Sequence, residues 1–272
     1  MLCKKSISNA EYHSGKGISK SGLFKIISKS PMHFYYDLKN PPEKTQALTF
    51  GSAFHKYVLE ESDFSKEFVI QPIIDRRTRE GKEQWNEFVE KSKGKEIITQ
   101  TDLEIIREMK ESIYNNKHAV KLLSGEHEQS YYWNDDLTDE LCKCRPDSLL
   151  ELENQCIITD LKTCQDASTD SFMRDVVKYG YDMQAAMYCA GVEAVTGKEC
   201  SFVFVAVEKS PPYATNVLQA DIYIKRRGYD LFREAIGIYH KCKQTENWYG
   251  YNGFSGMINN LSLPKWLAKE YE

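Results

Sequence analysis

The stretch that most constrains this chain runs from Arg145-Pro146-Asp147 to Asp160-Leu161-Lys162. Cys156 to Lys162 is rich in β-formers, and a period of two puts Ile158, Asp160 and Lys162 on one face and Ile157, Thr159 and Leu161 on the other. Glu153-Asn154-Gln155 is a polar interruption that can turn the chain, which brings Asp147 on a first strand back opposite Asp160 on a second. Two carboxylates on buried strands repel each other and are costly to desolvate unless a divalent cation lies between them. Hard oxygen ligands suit Mg²⁺ or Mn²⁺. A lysine beside such a metal can orient or deprotonate a water, or balance charge on a pentavalent phosphate. The chemistry so assembled is metal-assisted hydrolysis of a phosphodiester. By itself Asp-x-Lys also fits a solvated surface hairpin, so the rest of the chain has to decide.

Four blocks stand in order: Phe50-Gly51-Ser52-Ala53-Phe54-His55, Cys144-Arg145-Pro146-Asp147, Asp160-Leu161-Lys162-Thr163 and Tyr181-Asp182-Met183-Gln184-Ala185-Ala186-Met187-Tyr188. Together they resemble the PD-(D/E)XK nuclease superfamily, and within it the RecE-type (exodeoxyribonuclease VIII-like) 5′→3′ exonucleases of phage recombination systems. The resemblance runs from about Ile18 to Trp266. It implies an α/β fold with a restriction-endonuclease-like core, a mixed central sheet flanked by helices, and a helical N-terminal region. One exonuclease domain is expected over 1–272, helical to about 125 and nuclease core from about 126.

The resemblance also implies roles. His55, Asp147, Asp160 and the Leu161 carbonyl would hold Mg²⁺, with Mn²⁺ able to replace it; Lys162 would poise the water, assisted by Glu128 and Gln184, with Tyr188 one turn on. Linear duplex DNA would be digested to leave 3′ single-stranded tails, by a ring-like homo-oligomer working with a single-strand annealing protein. A PD-(D/E)XK endonuclease or flap nuclease would use the same ligands, and a non-catalytic DNA-end-binding module is the reading from another class.

Composition permits these readings. The chain has 272 residues, 41% hydrophobic and 28% charged, and no Pro/Gly/Ser-rich linker divides it. Its net charge of −4 requires any DNA-binding surface to be a local basic channel. The eight cysteines form no CxxC pair, and Met1 to His13 has no apolar core, which points to a reduced cytoplasmic setting, in a bacterial or phage-infected cell, without a membrane. Only Cys242 lies beyond Cys200, so no iron–sulfur cluster is expected; Cys142 and Cys144 read as packed thiols on one strand face.

Several positions keep two readings. Ser19 or Ser21 N-caps a helix that Pro31 ends, and with Lys20 that helix start could equally take a 5′-phosphate. His55 lies beside a stripe of Phe50, Phe54, Val58 and Leu59, as ligand or as packed side chain, and Gly51 would admit a neighbouring backbone. Arg76, Arg77, Arg79 and Lys82 precede a helix from about Glu83 to Lys93, as a solvated face or a grip on DNA. Glu128 starts a strand to Trp133, as metal-site carboxylate or exposed strand end, and Tyr188 is DNA contact or core. Helices are predicted over Asp102–Asn115, Phe172–Lys178, Tyr181–Ala194 and Tyr229–Lys243, and strands over Phe202–Val207 and Val217–Ile224. Trp266 is expected to pack on this subunit or a neighbour.

Overall fold

The computed structural model describes residues 2–269, so both ends of the expected 1–272 span lie outside the described residues. Its strands are β1 (Cys3–Lys5), β2 (Phe68–Ile70), β3 (Glu96–Ile98), β4 (Glu126–His127), β5 (Ser130–Asn134), β6 (Leu141–Cys144), β7 (Ser148–Glu151), β8 (Gln155–Cys164), β9 (Glu199–Glu208) and β10 (Thr215–Gln219). Its helices are α1 (Asn9–Ser14), α2 (Lys20–Ser28), α3 (Pro31–Lys39), α4 (Gln46–Leu59), α5 (Glu61–Glu67), α6 (Arg79–Lys91), α7 (Gln100–Tyr114), α8 (Lys117–Leu122), α9 (Thr169–Tyr179), α10 (Tyr181–Thr196), α11 (Ile222–Thr245) and α12 (Lys265–Ala268).

Five strands form the main sheet, in the order β10-β9-β8-β7-β4. It is mixed: β8 and β9 are parallel, and the other neighbouring pairs are antiparallel. A parallel pair needs a crossover, which α9 and α10 provide. This is the expected α/β, restriction-endonuclease-like arrangement. A three-stranded sheet (β1-β5-β6) and a parallel pair (β2-β3) stand beside it.

Period-two alternation divides the interior into two cores. Cys156, Ile158 and Cys164 of β8 and Phe202, Phe204 and Ala206 of β9 face α2, α9, α10 and α11. Leu161, Val205 and Val207 face the other way, toward α4, α7 and α8. Both strands are therefore covered on two faces, as the unbroken apolar run of β9 requires. Seven cysteines are buried and Cys3 is half-exposed, as a small apolar side chain would be placed. Helices α10 and α11 cross in backbone contact, because a Cβ at Gly228 would stand 1.9 Å from the Asp182 carbonyl oxygen.

Several boundaries differ from expectation. The strand expected over Val217–Ile224 stops at Gln219, because Asp221 accepts a bond from the Ile224 N–H and starts α11 seven residues before Tyr229. Helix α6 begins at Arg79, since Thr78 caps it through the Gly81 N–H. Glu128 does not begin a strand; it lies between β4 and β5 at a φ of 52°. Trp266 is 71% exposed, and the Lys265 side chain beside it lies outside the described residues. No described helix is long and apolar enough to cross a membrane.

Candidate active site

The site forms where β7 and β8 pair. Ser148 lies opposite Thr159, and one step further along this antiparallel register puts Asp147 across from Asp160. Both are nearly covered, at 8% and 1% exposure. Asp147 Oδ2 accepts the Leu161 N–H at 2.7 Å and stands 3.3 Å from His55 Nδ1. His55 comes from α4, whose Phe54, Val58 and Leu59 are buried and so turn the histidine toward the sheet.

Glu128 reaches the same place from the β4–β5 connection. Its N–H donates to the Asp147 carbonyl at 3.3 Å, and its Oε2 accepts from Arg145 Nε at 2.7 Å. Ligand atoms of His55, Glu128 and Asp147 lie within 4.8 Å of one another. Asp160 stands apart from that triad. Its Oδ1 accepts from Gln184 Nε2 at 2.5 Å, and its Oδ2 is ion-paired with Lys162.

Charge is strained here. Burial pushes the Glu128 carboxyl up to about 7, with the nearby Asp147 charge adding to the effect. Burial also raises Asp160, against Lys162, with Asp147 again adding. Burial opposes ionisation of His55, but the charge and hydrogen bond of Asp147 outweigh it and raise the imidazole. Asp147 is itself held below its ordinary value, because His55 and Lys162 outweigh its desolvation. Lys162 is buried too, yet Asp160, Asp147 and Tyr181 keep it raised and charged.

This donor set fits a divalent cation. Crowded carboxylates, two of them (Glu128 and Asp160) held up in pKa, beside an imidazole are what a hard or borderline metal relieves. His55, Glu128 and Asp147 could hold it directly, with Asp160 and the Leu161 carbonyl adjacent.

A cleft of about 620 Å³ opens over these groups. One wall is the N-terminal segment, through Ile7, Ser8, Asn9 and His13; another is α4, through Gly51, Ser52 and His55. Gly51 faces open space, not the backbone expected there, since an added Cβ meets nothing within 4 Å. Glu60, Asp63, Glu67 and Glu96 also line the cleft, against Lys56, Arg145 and Lys162. These carboxylates are paired with lysines, Glu60 and Glu67 with Lys56, Asp63 with Lys66 and Glu96 with Lys44.

The expected DNA contacts scatter. Ser19 occupies the N-cap position of α2 without a side-chain bond, Ser21 is exposed, and Lys20 turns inward to only 8% exposure. Arg77 and Arg79 are exposed and paired with Asp75 and Glu83, Arg76 lies over Trp85, and none of the three lines the cleft. Tyr188 is partly buried and packs against the core near Phe202.

Three contributors have no assigned role in the sequence reading. Arg145 anchors Glu128 and donates to the carbonyls of Ile7 (3.0 Å) and Ser8 (3.2 Å). Tyr181 places its ring 4.8 Å from Lys162 Nζ. The N-terminal segment supplies a wall. Arg145 carried a signal, as the cation next to Pro146-Asp147, and Tyr181 opens the last of the four blocks; the N-terminal segment carried none.

Comparison with known proteins gives the following. The sequence matches, over residues 19–260, the family described as a PDDEXK-like domain of unknown function (DUF3799). A candidate exonuclease from Eubacterium rectale, known from its crystal structure, superposes with a TM-score of 0.66 at 15% identity, covering 96% of this chain and 97% of that one. That likeness is one of fold. A phage-related exonuclease from Haemophilus somnus 129PT gives a TM-score of 0.35 at 13% identity, over 88% of this chain and 100% of that one. No curated protein matches the sequence significantly.

Proposed function

The chain belongs to this PDDEXK-like domain family, and from that membership we propose that it is a metal-dependent nuclease, of the RecE type, digesting linear duplex DNA 5′→3′ to leave 3′ tails for recombination. The observation that carries the proposal is the juxtaposition of half-buried His55 and Glu128 with buried Asp147, beside an Asp160–Lys162 ion pair. An inert scaffold gains nothing from holding like charges together in its interior.

His55, Glu128, Asp147 and Asp160, with the Leu161 carbonyl, are the groups that would hold Mg²⁺, or Mn²⁺ in its place. Bound there, such an ion supplies Lewis-acid polarisation of the scissile phosphate and acidifies a water. The remaining work belongs to the chain. Lys162, kept protonated by the two aspartates, donates to the attacking water and to the charge that gathers on the phosphate oxygens. Gln184 fixes Oδ1 of Asp160, so that its other oxygen is the one presented to Lys162. Arg145 fixes Glu128 from behind. Leu161 and Tyr181 line the cleft beside Lys162.

The same reading takes DNA ends as substrate, a ring-like homo-oligomer as the working state, a single-strand annealing protein as partner, and the cytoplasm as the setting. Digestion of linear and covalently closed circular duplex, each with and without Mg²⁺, tests it. Loss of the linear form alone, only with Mg²⁺, is the expected result. Cleavage of the circle would replace the reading by an endonuclease or flap nuclease; binding of ends without cleavage would leave an end-binding module.

A further inference from the structure

We propose that Lys20 is a positioning residue for Lys162, acting through the ring of Tyr181; this rests on the nuclease reading. Lys20 Nζ donates to the Tyr179 carbonyl at 2.6 Å and lies 4.9 Å from the centre of the Phe24 ring and 5.4 Å from that of Tyr181. Lys162 Nζ lies 4.8 Å from the centre of the same Tyr181 ring. Two ammonium groups thus share one aromatic ring, whose negative face attracts both.

The corner that carries Tyr181 is held tightly. Gly180 joins α9 to α10 at a φ of 65°, and a Cβ there would stand 2.3 Å from the Phe24 ring. Phe24 and Lys20 both belong to α2, so one helix grips the corner by a ring contact and by a hydrogen bond.

Capping the end of α9 does not explain the burial. An exposed lysine reaches a terminal carbonyl equally well. Lys20 has no carboxylate paired with it among the described ion pairs, and burial, followed by the charge of Lys162, pushes it down to about 7. Bound to the Tyr179 carbonyl and set against the Tyr181 ring, the Lys20 amine holds Tyr181 in place, and Tyr181 keeps Lys162 aimed at Asp160. The ammonium is turned inward, away from the 5′-phosphate role read from the helix start.

The experiment uses the full chain and the variants Lys20→Met, Tyr181→Leu, Tyr181→Phe and the Lys20→Met/Tyr181→Leu double. Trace acetylation of the metal-free proteins, read by mass spectrometry, reports the exposure of the Lys162 amine. It should rise severalfold in Lys20→Met and Tyr181→Leu and stay at the wild-type level in Tyr181→Phe, which keeps the ring. With Mn²⁺ and linear duplex, each of the first two should lose about tenfold in kcat, as expected for loss of one desolvated cation–ring contact. KM should stay within about twofold, and the double variant should be no worse than either single, as for residues acting in one chain. Lys162 labelling unchanged in Lys20→Met, or additive losses in the double variant, would overturn the proposal. Should Lys20→Met fail to fold, Lys20→Gln, which keeps a donor for Tyr179 and drops the charge, carries the same expectations. Labelling needs neither metal nor DNA, so absence of nuclease activity would defeat the proposed function while leaving the role of Lys20 to be decided separately.

Discussion

Glu128 and His55 set the pH behaviour of the site. Both are held above their ordinary values in the metal-free protein, Glu128 at about 7 by burial and by Asp147. The folded state therefore binds these protons more tightly than the unfolded chain does. The stabilisation is complete below the unfolded pKa of each group and is lost as pH rises through its folded value. Lys20, pushed down to about 7, contributes with the opposite sign over the same range, so the share of Glu128 is read by difference: the metal-free Glu128→Gln variant should lose less stability, or gain more, between about pH 6 and about pH 8 than the parent does, as differential scanning fluorimetry would show. Mn²⁺ must also displace these protons, so calorimetry in buffers of different ionisation enthalpy should register proton release and tighter binding at higher pH. Lys162→Ala should lower kcat by about 10²-fold or more while DNA affinity changes by only a few fold. Asp147→Asn should in addition weaken Mn²⁺ binding. An active Lys162→Ala enzyme would remove the lysine from the mechanism.

Helices and strands locate these residues, and two elements invite direct tests. The crossing of α10 and α11 leaves no room for a side chain at Gly228, so Gly228→Ala should cost about 2–3 kcal/mol in urea unfolding. Gly237 on the same helix meets nothing within 4 Å, and Gly237→Ala should be neutral or stabilising by up to about 1 kcal/mol. The N-terminal segment lies outside the residues matched to the family, yet the carbonyls of Ile7 and Ser8 take two of the nitrogens of Arg145 and leave Nε for Glu128. Removing residues 1–15 should therefore weaken Mn²⁺ binding about tenfold by releasing Arg145, within the range known for groups that support metal ligands. What was legible in the sequence had local periodicity behind it: the alternation of β8, the apolar run of β9, the stripe that aims His55, and the helix that carries Gln184. The position of Glu128 was not legible, because it depends on Arg145, itself held by a carbonyl 138 residues earlier in the chain. The burial of Lys20 was hidden for the same reason, since its partner Tyr179 lies 159 positions further on.

Across the whole molecule, charge and apolar surface are unevenly spread. The acidic residues that make the net charge −4 include Glu60, Asp63, Glu67 and Glu96 along the cleft, each paired with a lysine. Toward the C-terminal end, Met257, Ile258, Leu261, Leu263 and Trp266 are all exposed. Apolar surface of this kind suits burial between subunits of the proposed ring. Sedimentation velocity should show an assembly that Ile258→Lys with Leu261→Lys shifts toward monomer; an unchanged profile would take these residues out of the interface. The burial of seven of the eight thiols has a practical reach of its own. Burial pushes Cys164 up to about 11 and Cys189 to about 12, so a maleimide at neutral pH finds almost no thiolate on them. Cys3 is left as the one natural attachment point for a fluorophore, on the strand that leads into the N-terminal wall of the cleft. The unmodified sequence therefore carries its own single-colour reporter beside the cleft.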